Sequence, residues 1–154
     1  MIVVDASVGV KWLVIEASSD IADDFLALNR GELVAPAIFS IEVASALVRK
    51  ANEVKANRKG SEAGLISLGE MLASKIVGIR QTSMDQLSGA AQFALDLGHP
   101  LKDCIYLALA MELGCEVVTC DARFAAKAEG VWAGCGCWEG NAACYPNRRF
   151  ERQA

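Results

Sequence analysis

Short apolar runs the length of buried strands alternate with helix-length segments along this chain. That alternation restricts the fold more than any other feature. Ile2-Val3-Val4 reads as a short buried strand, Leu33-Val34 as a brief one before Pro36, and Ile76-Val77-Gly78-Ile79 as a third. Residues 116–120 read as a fourth, and Val131-Trp132-Ala133 as a last. A short helix is expected from Ser7. Ser18-Ser19 suit the caps of a helix running to about Asn29, with Gly31 as its stop. Apolar residues at 39, 43, 46 and 47 predict a helix from 38 to about 55, and Gly60-Ser61 then break and cap a second over about 62–74. Ser83 followed by Gln86 resembles a capping box for a helix to about Leu97. Gly98-His99-Pro100 is a break. Residues 102–113 are apolar on nearly all sides, which predicts a central helix that Gly114 stops. A short helix over 122–128 completes the series. Strands separated by helices pair in parallel through crossovers, so the expectation is an α/β fold around a central, mostly parallel sheet of four to five strands.

The 154 residues fit one domain, expected over 1–133. Residues 134–154 are rich in Gly, Cys and Asn, lack periodicity, and read as an irregular tail ending near Arg148, Arg149 and Arg152. Hydrophobic residues make up 53% and charged residues 22%, which excludes a disordered chain. A formal charge of −4 gives no bulk attraction to nucleic acid, so any such role needs a local basic surface. The N-terminus lacks a basic region, and Asp5 and Lys11 interrupt its apolar run, so no secretory signal is expected. No stretch of about 18 uncharged apolar residues is present to span a bilayer. The expected location is therefore cytoplasmic, without membrane attachment. Cys104, Cys115 and Cys120 sit in or beside apolar segments, and Cys135, Cys137 and Cys144 cluster late. Their spacing matches no standard zinc pattern and the only histidine is His99, so plain thiols are expected.

Against this apolar background four acids stand out. Asp5 ends the first strand, Glu42 lies within the apolar stretch 37–48, Asp103 opens the central helix, and Asp121 closes the fourth strand. Desolvating a carboxylate is costly, and no Lys or Arg recurs beside them in a pattern that would pair all four. Taken singly, each aspartate precedes or opens a helix and suits an N-cap, and Glu42 suits a rim position. Topology argues for a joint role. Ligands of open parallel sheets bind beyond the carboxyl ends of strands, where strand order reverses. If the first and fourth strands are neighbours, Asp5 and Asp121 share that crevice, and the start of the helix feeding the fourth strand brings Asp103 near it. Ile38, Phe39, Ser45 and Ala46 neighbour Glu42 at helical spacing, which sets it on or beside the packing face. Clustered carboxylates raise one another's pKa, and a divalent ion with oxygen ligands, Mg²⁺ or Mn²⁺, removes that cost. Such an ion can activate water and stabilise charge on a phosphate. There is no Ser-His-Asp set and no Gly-rich loop after a strand, which argues against a triad hydrolase and a nucleotide cofactor.

Four segments carry a resemblance. They are Val3-Val4-Asp5-Ala6-Ser7-Val8 with Lys11-Trp12, and Ile41-Glu42-Val43-Ala44 with Ala46-Leu47. Lys102-Asp103-Cys104-Ile105-Tyr106-Leu107-Ala108-Leu109-Ala110 and Val118-Thr119-Cys120-Asp121-Ala122-Arg123-Phe124 follow in order. Over about residues 1–133 the chain resembles the PIN-domain ribonucleases, specifically VapC-like toxins of toxin–antitoxin pairs. The resemblance implies a three-layer α/β/α fold and Mg²⁺- or Mn²⁺-dependent endonucleolytic cleavage of RNA. It places the metal-binding and catalytic acids on Asp5, Glu42, Asp103 and Asp121, with hydroxyls near them at Ser7 and Thr119. It also implies a homodimer and a cognate antitoxin protein. The tail beyond Trp132 departs from the family pattern. Lys11, Arg49, Lys50, Lys102 and Arg123 lie in or near the matched segments, and Lys102 and Arg123, which flank the acids, are the expected RNA contacts. The alternatives are a PIN-like binding module without activity, a housekeeping nuclease, and a phosphoacceptor switch of the receiver type. The last needs a Lys after a late strand, and none follows Val117–Cys120.

Overall fold

The computed structural model describes residues 1–14 and 19–137. Among the described residues five strands form one sheet: β1 (Ile2–Val4), β2 (Leu33–Pro36), β3 (Gly78–Arg80), β4 (Glu116–Thr119) and β5 (Cys135–Cys137). Their order is β3-β2-β1-β4-β5, and every pairing is parallel. Val3 aligns with Val34 on one side and Val117 on the other, so the apolar runs stack in register across the sheet centre. The edge strands are only three residues long, which limits the unpaired backbone they present.

Right-handed crossovers set the helices on opposite faces. One face carries α1 (Ala6–Lys11), α2 (Ser19–Leu28), α3 (Ile38–Glu53) and α4 (Arg58–Ala73). The other carries α5 (Met84–Leu97), α6 (Leu101–Leu113) and α7 (Ala122–Glu129). This is the three-layer arrangement that the resemblance implies. α6 packs across β1, β2 and β4, and its residues 104–110 are all buried, as the all-round apolar pattern requires. Gly98 (φ 56°) and Gly114 (φ 60°) close α5 and α6 in the left-handed conformation that glycine adopts without steric cost. The order 3-2-1-4-5 differs from the 2-1-3-4-5 order of receiver-type domains, which removes the phosphoacceptor reading.

Three boundaries differ from expectation. Gly60-Ser61 lie inside α4 and do not break it. The break falls at Val54, whose extended backbone (φ −135°) is followed by a 3₁₀ turn at Lys55–Asn57, and an Arg58–Glu62 ion pair then spans Gly60. The third strand is displaced to Gly78–Arg80, because left-handed Lys75 (φ 54°) delays the extended backbone. The last strand is Cys135–Cys137 and not Val131-Trp132-Ala133. Val131 and Trp132 donate backbone hydrogen bonds to Ala128 O and wrap the end of α7 instead. The sheet therefore extends past residue 133, into the segment 134–154 expected as an irregular tail; the part of that segment beyond residue 137, and Ser18 as a cap, lie outside the described residues. The Ser83 cap is present, but only half of the box forms. Ser83 Oγ accepts from Gln86 N–H, while the Gln86 side chain turns away to Glu112 at 2.9 Å.

Candidate metal centre

The order of strands reverses between β1 and β4, and both end at one crevice. Asp5 follows β1 directly. Its backbone N–H donates to Val118 O at 2.9 Å, which ties it to β4, and its Oδ1 caps α1 by accepting from Ala6 N–H at 2.8 Å. Two hydroxyls meet the other oxygen: Ser7 Oγ–H and Thr119 Oγ1–H (2.8 Å) both donate to Asp5 Oδ2. Each hydroxyl also accepts from the chain just beyond β4, Ser7 from Cys120 N–H (2.9 Å) and Thr119 from Asp121 N–H (3.0 Å). The N–H groups occupy the acceptor side of each hydroxyl, so both protons point at Asp5. A carboxyl receiving three donors is arranged for the ionised state. Burial opposes this and raises the Asp5 pKa above its ordinary value. The hydroxyls of Ser7 and Thr119 pull it down, the charge of Glu42 adds to the rise, and the Ala6 N–H lowers it.

Glu42 reaches the crevice because α3 starts at the C-terminal end of β2 and packs tightly on α1. A Cβ on Gly9 would lie 2.6 Å from Phe39 Cζ, so only glycine permits this approach. From the opposite layer α6 brings its first turn over the same sheet edge. Lys102 Nζ donates to Glu42 Oε1 at 2.9 Å, and Tyr106 O–H donates to Glu42 Oε2 at 2.7 Å. Burial and the nearby acids push the Tyr106 hydroxyl far above its ordinary range, so it serves as a neutral donor. Lys102 Nζ also lies 3.7 Å from Asp103 Oδ1. Its hydrogen bond to Glu42 raises the ammonium pKa and keeps it charged. Burial raises Asp103 above its ordinary value; Lys102 opposes that rise, while the charges of Asp5 and Glu42 add to it.

Asp121 caps α7, accepting from Phe124 N–H at 2.9 Å. Oxygens of Asp103 and Asp121 and a ring nitrogen of His99 all lie within 4.8 Å of one another. The structure thus gathers the predicted acids in two linked groups. Asp5, Glu42 and Asp103 feel one another's charge, and Asp103 and Asp121 meet beside His99. The single-residue reading also holds in part, since Asp5 and Asp121 do cap helices. Asp103 does not, because Pro100 takes the N-cap position of α6. A hard divalent ion fits this donor set: the carboxylate oxygens converge at one crevice, and the pKa values of Asp5 and Asp103 are raised by burial and by neighbouring acids, a cost that a bound cation offsets.

A family model described as PIN domain matches residues 2–130, which span all four acids. The chain belongs to the PIN domain family. Membership supports a nuclease in general. The crystal structure of Mycobacterium tuberculosis VapC20, titled a sarcin-ricin loop cleaving toxin, is similar in fold. It aligns with TM-score 0.65 and 17% identity over 82% of this chain and 94% of that chain. No curated protein matches the chain significantly.

Two features of this PIN domain escape sequence reading. Lys102 pairs with two of the four acids, so part of the countercharge is internal. His99 enters the site although its segment reads only as a break. The available signal is its spacing, four residues before Asp103 across Pro100, one turn away on the same side. Arg123 is exposed on the first turn of α7, and Lys102 is more than half exposed. Cys104 and Cys115 are free thiols, and burial pushes Cys104 up to about 11, which leaves it inert.

Proposed function

We propose that this PIN domain is a divalent-metal-dependent endoribonuclease, the toxin of a toxin–antitoxin pair. One observation carries the reading: Asp5, Glu42 and Asp103 converge at the β1/β4 switch point under mutual repulsion, with Asp121 beside them. Asp5, Asp103 and Asp121 would hold Mg²⁺ or Mn²⁺, with Glu42 joining directly or through a water. Such an ion, when bound, acidifies water and neutralises charge on the scissile phosphate and its leaving oxygen.

The chain's own residues do the rest. Ser7 and Thr119 aim their protons at Asp5 and oppose the rise that burial imposes on its pKa. Glu42, oriented by Tyr106, takes a proton from the attacking water. Lys102 and Arg123 meet RNA phosphates. For Lys102 this means exchanging its acid partners for a phosphate once a cation neutralises them. The similarity in fold to VapC20, titled a sarcin-ricin loop cleaving toxin, supports the toxin reading; an RNA substrate, a protein antitoxin that covers the site, a homodimer and a cytoplasmic location belong to the same proposal. Among the described residues no helix is long and apolar enough to cross a membrane. Incubating the purified protein with RNA tests the reading. Cleavage that appears with Mg²⁺ or Mn²⁺ and stops with EDTA is expected; cleavage that persists in EDTA overturns it. Metal binding without any cleavage would instead favour a binding module.

A further inference from the structure

His99 is poorly explained as a core residue. Its side chain is 92% buried, being 8% exposed, and its Nε2 has no hydrogen-bond partner among the described residues. Asp103 Oδ2 lies 3.0 Å from Nε2, yet the two are not aligned as donor and acceptor. The ring is held in place. It stacks on Phe124 with centroids 4.9 Å apart and planes 24° from parallel. Phe124 in turn donates its N–H to Asp121, so one residue fixes both the imidazole and the acid across from it.

The spacing suits a shared ion. Two ligands at about 2.1 Å and a right angle sit about 3.0 Å apart, and two opposite ligands about 4.2 Å apart. The 3.0 Å contact matches the first distance, and the 4.8 Å limit on the whole trio covers the second. We propose that His99 Nε2 is a metal ligand beside Asp103 and Asp121, and that this nitrogen makes the site prefer a first-row transition ion over Mg²⁺. Imidazole suits such ions, whereas Mg²⁺ is served by oxygens and binds nitrogen poorly. The inference rests on the metal-dependent reading of the same site and adds to it a nitrogen ligand and a preference among ions.

His99 is the only histidine in the chain, so any imidazole signal from tag-free protein belongs to it. Pulsed electron paramagnetic resonance of the Mn²⁺-loaded protein should show coupling to a directly bound imidazole nitrogen. His99→Phe keeps a ring for the Phe124 stack. It should abolish the coupling and weaken Mn²⁺ binding by about tenfold or more, with Mg²⁺ binding changed by less than about twofold. Retained Mg²⁺ binding would show that the variant is folded; if it does not fold, the wild-type spectrum decides alone. Mn²⁺ bound without imidazole coupling overturns the His99 assignment and leaves the metal site standing. Failure of the wild type to bind either ion overturns the metal-dependent reading and this inference with it.

Discussion

Thr119→Val removes a hydroxyl while nearly preserving shape, so it isolates what that hydroxyl does for Asp5. Thr119 is fully buried, and its Oγ1–H donates to Asp5 Oδ2 at 2.8 Å. A hydrogen bond to a charged group contributes about 1.5–3 kcal/mol, and the ionised carboxylate is the stronger acceptor. Burial already raises the Asp5 pKa, and Ser7, Thr119 and Ala6 oppose the rise. Losing Thr119 therefore favours the protonated acid further, and a metal must displace a proton held more tightly. Because about 1.4 kcal/mol is a tenfold change, Mg²⁺ affinity should fall by about tenfold or more wherever Asp5 is protonated, and recover as pH rises. A separate cost is independent of pH. Asp121 N–H loses its acceptor, worth about 1–3 kcal/mol for a buried donor and less at this partly exposed one. Calorimetric titration of Mg²⁺ into wild type and variant at about pH 4.5, just above the ordinary aspartate range, and at about pH 8.5 separates the two. The reasoning requires a gap in affinity that narrows at the higher pH. A gap of equal size at both, or none at either, refutes it.

Gly9→Ala should destabilise the fold. Helix propensity favours alanine by about 1 kcal/mol, but a Cβ 2.6 Å from Phe39 Cζ overpacks the α1–α3 contact at a cost of about 1–3 kcal/mol. A urea midpoint at or above wild type would contradict this. Tyr106→Phe should lower stability by about 1–2 kcal/mol through the lost bond to Glu42 and slow RNA cleavage about tenfold or more, read by denaturation and by single-turnover kinetics. Metal stabilisation should grow with pH. Asp5 and Asp103 have folded pKa values raised above 3.8, so the native state holds their protons more tightly than the unfolded chain. Their ionisation then erodes stability as pH rises through the folded values, and a bound cation removes the loss. At about 100 times Kd the gain approaches about 2.7 kcal/mol, or about 5–10 °C in Tm. It should be smaller at about pH 5 than at about pH 8, and melting curves with and without Mg²⁺ check this.

The sheet centre was legible in the sequence because Ile2–Val4 and Glu116–Thr119 are too short and apolar to be anything but buried strands, and α6 is apolar all round. The acids at strand ends were legible for a related reason, since charge at the margin of a core segment needs a cause. What escaped depends on contacts between distant segments. Lys102 reads only as an RNA contact, with no acid partner in view, until α6 is laid across from Glu42, 60 residues earlier. His99 reads as part of a break until Phe124 stacks on it. The edge strand β5 pairs with β4 through a segment, Cys135–Cys137, that carries no apolar alternation of its own. Val54 ends α3 where Gly60, six residues later, looks like the better stop.

The central claim is that these acids form one metal centre that cuts RNA, and Asp5 is the member most enclosed by the fold. The direct measurement is RNA cleavage by wild type and Asp5→Asn in saturating Mg²⁺, with circular dichroism to confirm that both are folded. The account predicts defined fragments from the wild type and none from the folded variant. Unchanged fragments at an unchanged rate from Asp5→Asn would contradict it.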